Sequence, residues 1–219
     1  MTFFTKLNDL LFRPDAFFSR LEQEEVNLVP PVLIVMLSGI GALVTVSLAM
    51  ILSGSFAGRS EEEILVMLFT SSPFMLAFIY QVIMWIVASV SVWLVAGKLS
   101  GTGTLTATLQ NIGYGMLPTM IYTVISQVLV MATIATTGET SYSGMMAGAG
   151  LMLLALSLVI TIWTWYLWVL GIVHAHHITR EKAIVAVIIV IVVQWIVAIL
   201  IMAFPVVWSV LGPQLFMSF

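Results

Sequence analysis

Three histidines, an arginine, a glutamate and a lysine are packed into GIVHAHHITREKAIV, residues 171–185, between two long apolar runs. On one continuous helix His174, His177 and Glu181 would share a face at i, i+3 and i+7. That gives two imidazoles and a carboxylate, a set able to hold zinc or iron. Two features oppose this metal or pH-sensing reading. Thr179 has the position of an N-cap for the next run, so a helix ends before Glu181 aligns. The chain also has no cysteine, and no histidine elsewhere, to complete a ligand set. Histidines and Arg180 at a helix C-terminus meet the negative end of its dipole. The stretch reads as the boundary where the chain leaves lipid for water, with no metal and no cofactor expected.

A second candidate is LQNIGYGMLP, where Gln110, Asn111, Gly113, Tyr114 and Gly115 precede Pro118. Proline removes a backbone donor and the glycines favour a break. A broken helix with polar flanks can coordinate a transported solute, although such breaks more often serve packing. Elsewhere the apolar runs carry only uncharged polar residues, among them Gln81, Ser89, Ser126, Gln127, Thr161, Thr164 and Gln194. The glutamines suit hydrogen bonds between helices. No acid or base that would mark a proton relay lies inside a run. HExxH, GxSxG and Walker A patterns are absent, so no enzyme is expected.

The elements around these residues follow from composition. Of 219 residues 61% are hydrophobic and 8% charged, against about 25% charged in soluble domains. A chain this short cannot hide that excess in a core, so lipid must be its solvent. Apolar runs near Val29–Leu52, Pro73–Ala96, Pro118–Ala135, Ala149–Val173 and Ala183–Phe204 each approach the ~20 residues that span a bilayer as helix. The expected fold is all-α: a polytopic membrane protein of five transmembrane helices. Lys6, Arg13, Arg20, Lys98, Arg180 and Lys182 fall on one side of that topology and Arg59 alone on the other. The positive-inside rule then puts the N-terminus in the cytoplasm and the C-terminus outside, in the cell membrane. There is no basic block for nucleic acid.

Residues 1–28 form a separate expected unit of cytoplasmic, amphipathic interfacial helices, with the spans in 29–219. Phe3, Phe4, Leu7, Leu10 and Leu11 make one apolar helical face, Arg13-Pro14 breaks it, and Phe17, Phe18 and Leu21 build a second, with Arg20 beside them. These two helices lie in the interface, pack on the cytoplasmic ends of the spans, or both. Ser60 and Glu63 have capping-box spacing. Small residues at Ser38, Gly41, Ala42, Thr45 and Ala49, and at Gly144 and Gly148, permit close helix contacts, within the monomer by default and in a homodimer as the alternative. Trp165 and Trp168 suit an interfacial belt, whereas Trp163 and Trp195 lie deep enough to pack inside.

Three blocks, LLFRPDAFFSRLEQEE, LVAGKLSGTGTLTATLQNIGYGMLP and WYLWVLGIVHAHHITREKAIVAV, resemble the Yip domain family of Ypt/Rab-interacting membrane proteins. The resemblance rests on Arg13, Pro14, Phe17 and Phe18; on Lys98, Leu99, Gly101 and Gly103; on Gly113, Tyr114 and Pro118; and on Gly171, His174, Lys182 and Ala183. It implies five spans with the N-terminus inside, as the charges do separately. Eukaryotic relatives bind prenylated Rab-type GTPases and support vesicle budding. This chain lacks their Asp-Leu-Tyr-Gly-Pro motif and long polar N-terminal region, so it is similar to the short prokaryotic branch and GTPase binding is not carried over. The expected function is a non-enzymatic membrane-organising or trafficking-related scaffold. It would meet protein or lipid partners through Phe3, Phe4, Leu7, Arg13, Phe17, Phe18 and Arg20. The alternative is a transporter or channel for ions or small solutes, with its site near Tyr114 and Pro118.

Overall fold

The computed structural model describes residues 3–52, 58–64, 72–137 and 142–216. Two short helices come first, α1 (Phe3–Phe12) and α2 (Pro14–Leu21), separated at Arg13, whose backbone leaves the helical region at φ −141° and ψ 56°. Pro14 causes the break, since its ring disfavours helix at the residue before it while suiting the first turn of a new one. Helix α3 (Val29–Leu52) follows, then α4 (Ser72–Lys98). In the segment between them the Ser60 amide donates to Glu63 Oε2 at 2.9 Å and the Glu63 amide to Ser60 Oγ at 3.2 Å, the reciprocal capping box expected there.

Helix α4 ends in a Schellman turn: the Gly101 amide donates to the Ala96 carbonyl at 2.8 Å and the Ser100 amide to that of Gly97 at 3.3 Å, with Ser100 at φ 70°. Thr104 then caps α5 (Leu105–Gly115) by accepting from the Ala107 amide at 3.2 Å. Met116 interrupts the helix before α6 (Leu117–Thr137), so the break expected from Gly113, Gly115 and Pro118 is present. The long helices α7 (Tyr142–His176) and α8 (Arg180–Phe216) complete the chain.

Among the described residues no strand occurs, and four stretches are long and apolar enough to cross a membrane: Phe78–Lys98, Leu105–Thr133, Ala149–His176 and Arg180–Ile201. A shorter apolar stretch, Val29–Gly41, lies in α3. This is a multi-pass helical membrane protein. Its outer surface is oily, with Leu151, Ile162, Val192 and Ile199 all exposed, the reverse of a soluble bundle.

Helices α3, α4, α8, α7 and α6 contact one another in that order to make a ring, and α5 packs against α3, α4 and α7 within it. Everything from Gln110 to Pro118 is buried, so α5 acts as a plug in one end of the ring. Below it, α4, α6, α7 and α8 line a cavity of about 370 Å³.

Two tryptophans depart from expectation. Trp168 is buried at 4% exposure because Gly115 lets α5 lie against its indole edge, and Trp195 is 67% exposed on the outer face of α8. Gly41 packs inside the monomer, against Thr123 of α6, whose neighbour Gln127 donates to the Gly41 carbonyl at 2.8 Å. Gly144 and Gly148 fall in the first turns of α7; their packing, that of Ala42, Thr45 and Ala49, and the side chains of Phe3 and Phe4 lie outside what the structure describes.

Candidate functional site

The chemistry-bearing residues meet in one layer at the plugged end of the bundle. It is built on α2, whose Phe17, Phe18 and Leu21 are buried. Phe17 stands edge-on to Tyr114 of α5, ring centroids 5.0 Å apart. A methyl group at Gly171 of α7 would lie 3.3 Å from Phe18 Cε1 and 3.1 Å from Asn111 Cβ, so glycine there gives both side chains their room. Two or three buried aromatic and leucine side chains supply on the order of 5 kcal/mol of docking. Apolar burial is what holds the helix down.

Around that apolar seat runs a polar rim. His174 Nε2 lies 3.3 Å from Asp15 Oδ1 and His174 Nδ1 lies 3.3 Å from Glu22 Oε2. His177 Nδ1 is 3.2 Å from Glu22 Oε1, and Arg180 is 3.5 Å from Asp15 Oδ1. Asp15 and Glu22 therefore clamp α2 to the C-terminus of α7, each shared between two cationic or ionisable groups. Exposed pairs of this sort contribute about 0–1 kcal/mol each, so they set orientation more than strength. His177 is at φ 53°, past the end of α7, which removes it from the face of His174; Glu181 sits in the first turn of α8. Among the described residues no group of three His, Asp or Glu is placed to hold a metal.

Sequence reasoning passed over His176, the one histidine that is buried, at 1% exposure. Its Nε2 is 2.8 Å from Thr108 Oγ1, and that hydroxyl sits 2.8 Å from the Thr104 carbonyl. A hydroxyl has one proton, and the carbonyl can only accept, so Thr108 donates to Thr104 and accepts from His176 Nε2–H. The network thus assigns the Nε2–H tautomer. The bare Nδ1 faces the turn after α4, where a methyl group at Gly103 would lie 2.8 Å from it and 2.2 Å from the Ala175 carbonyl oxygen. At Gly101 a methyl group would stand 2.9 Å from His176 Cβ. The Thr102 amide completes the junction by donating to the His176 carbonyl at 3.1 Å. The sequence signal available for this junction is the Gly-x-Gly spacing of Gly101 and Gly103; what approaches them, a histidine 73 residues on in the case of Gly103, is a tertiary fact.

The remaining motif positions do similar work. Gly113 admits Pro31 of α3 and Trp85 of α4, whose indole N–H donates to the Leu109 carbonyl at 3.0 Å. Lys182 Nζ donates to the Leu99 carbonyl at 2.9 Å, tying α8 to the end of α4, while Lys98 is exposed and Pro118 buried. On α1, Leu7 packs partly buried against the core, and Arg20 of α2 donates to Asp9 Oδ2 at 2.6 Å. Lys6 pairs with Glu24. Arg13 is exposed and, among the described residues, unpaired. A cleft of about 220 Å³ opens between α2, the turn after α4, α5 and α7, bordered by Glu22, His174, Thr104 and Asn111. Asn111 donates to the Ala107 carbonyl at 2.7 Å and leaves its Oδ1 without a partner.

Comparison with known proteins now bears on these positions. Residues 8–203 match the Yip1 domain. The chain belongs to the Yip1 domain family. It is also similar to an uncharacterized protein of Methanocaldococcus jannaschii, 29% identical over 116 residues, which is 52% of this chain and 81% of that protein. No solved structure matches the chain. In this Yip1 domain the motif residues form the joints of one layer: glycines at close approaches, Tyr114 beneath α2, His174 between two carboxylates.

Proposed function

We propose that this Yip1-family protein is a non-enzymatic membrane organiser, sited in the cell membrane with its N-terminus in the cytoplasm and its C-terminus outside. Its contact surface for protein or lipid partners is the α1–α2 pair together with the turns around His174. The observation that carries the reading is the way α2 docks. Phe17 and Phe18 turn inward, while Phe12 is left 76% exposed beside the unpaired Arg13. An aromatic ring next to a free guanidinium suits the headgroup level of an anionic leaflet or an acidic partner surface. The gathering of Lys6, Arg13, Arg20, Lys98, Arg180 and Lys182 around this layer supports its cytoplasmic placement. Rab-type GTPase binding forms no part of the proposal.

Deleting residues 1–27 tests it. Insertion into the membrane should persist while partners photo-crosslinked from Thr102, an exposed position of the same surface that the deletion retains, are lost. Undiminished recovery contradicts the reading.

A second reading, passage of ions or small solutes, draws on the cavity beneath Met116, which Gln194 lines. The site expected for it at Tyr114 and Pro118 is filled by packing, and Gln127 is engaged with Gly41. Proteoliposomes that retain loaded ions and small solutes would remove it.

A further inference from the structure

Polar side chains within the spans fall into three groups. The smallest is Ser91, Tyr122 and Tyr166, which among the described residues have no side-chain hydrogen-bond partner and lie away from the cavity under α5. Most satisfy themselves locally or across one helix contact. Ser38, Ser89 and Thr133 donate to the carbonyl one turn back, at 2.8–2.9 Å, Ser126 donates to the Thr123 carbonyl at 3.0 Å, and Gln127 donates to Gly41. The second group borders the cavity under the α5 plug. Among the described residues Tyr80, Gln81 and Thr161 have no side-chain hydrogen-bond partner. Gln194 makes only a long 3.4 Å contact to the Met84 carbonyl, and Thr119 meets Thr164 at 3.5 Å. Four separate helices thus aim their unspent donors and acceptors into one space.

Depth makes this significant. At 1.5 Å per residue, Gln194 lies about 21 Å along α8 from Arg180, and Thr161 about 22 Å along α7 from His176. With a hydrocarbon core about 30 Å thick, both are well inside it. A polar group left unpaired there is costly, and several on one cavity imply an occupant that pairs them. Among the described residues no ionised side chain borders the cavity, which suits an uncharged occupant. The route of access narrows its class further. Met116 and Trp168, both buried, close the cavity towards the plug, whereas Trp195 on its rim is largely exposed on the outer face of α8. The described rim thus offers an opening sideways, to the lipid.

We propose that this cavity binds a neutral membrane lipid, its hydroxyl or ester head group hydrogen-bonded by Gln81, Gln194 and Thr161 and its chain leaving past Trp195. The site is independent of the cytoplasmic surface and of the reading given to it.

Full-length protein in phosphatidylcholine liposomes tests the assignment with two diazirine probes of identical acyl chain, a diacylglycerol and a phosphatidylcholine. The diacylglycerol probe should label the α7 and α8 peptides holding Trp165 and Trp195 roughly tenfold more than the phosphatidylcholine probe, the worth of one or two hydrogen bonds in lipid. Gln81→Leu/Gln194→Leu, which should remain monodisperse because it only makes a lipid-facing space more apolar, should erase the preference. Thr161→Val should lower it in part. Equal labelling by the two probes, or a preference that survives in the double variant, overturns the proposal. So does faster release of a small neutral solute from wild-type than from double-variant liposomes, which would make the cavity a water path.

Discussion

At the scale of single residues, the glycines of the plugged end distinguish a packed joint from a flexible turn. A methyl group at Gly103 meets the Ala175 carbonyl oxygen at 2.2 Å and one at Gly115 meets Trp168 Cδ1 at 2.3 Å, whereas one at Gly97 meets nothing within 4 Å. Gly103→Ala and Gly115→Ala should each destabilise the protein by about 1–3 kcal/mol, the usual cost of overpacking. Gly97→Ala, on an exposed helical turn, should be neutral or slightly stabilising. Thermal unfolding in detergent, followed by tryptophan fluorescence, gives the comparison. The His176–Thr108 bond makes a second residue-level prediction. Thr108→Val keeps the shape but leaves the buried Nε2–H with nothing to donate to, a loss of about 1–3 kcal/mol in the same assay. Thr106→Val, exposed two residues earlier, should change little.

At the scale of elements, the question is what keeps α2 in place. Phe18 is fully buried, so Phe18→Ala should cost about 3–5 kcal/mol of docking. Asp15 and Glu22 are partly solvated, so His174→Ala should cost no more than about 1 kcal/mol. Limited trypsin digestion after Arg20 reads this out: strong acceleration in the phenylalanine variant and slight acceleration in the histidine one. The reverse order would mean that the ion pairs, not the apolar seat, hold the helix.

Local chemistry made many of these elements readable from sequence. Pro14 separates α1 from α2, Ser60 and Glu63 cap each other, and the α5–α6 break falls at Met116 between the glycines and Pro118. The apolar face expected from Phe17, Phe18 and Leu21 is buried, with α2 docked on α7. The helical plug was hidden because Gln110 and Asn111 break the apolar pattern, and only three surrounding helices explain their burial. His176 was missed for a related reason. Helical spacing pairs His174 with His177, but the helix stops at His176, and its partner Thr108 lies 68 positions away. The rotation that turns Gln81, Thr161 and Gln194 to one cavity depends on contacts among distant spans, which no local pattern records.

At the scale of the whole molecule, a ring of oily helices is plugged at one end by α5 and covered there by α2, with basic residues gathered around the cover. In the proposed arrangement this covered end faces the cytoplasm and an odd number of crossings separates the two termini. The chain contains no cysteine, so single substitutions report on sidedness without background. Asn8→Cys, Thr102→Cys, Ser60→Cys and Ser218→Cys should each be treated in intact cells with a membrane-impermeant maleimide, then again after the membrane is opened. Positions 60 and 218 should react in intact cells, and positions 8 and 102 only after opening. Reaction of positions 8 and 218 from the same side would contradict the five-span arrangement and the cytoplasmic surface built on it.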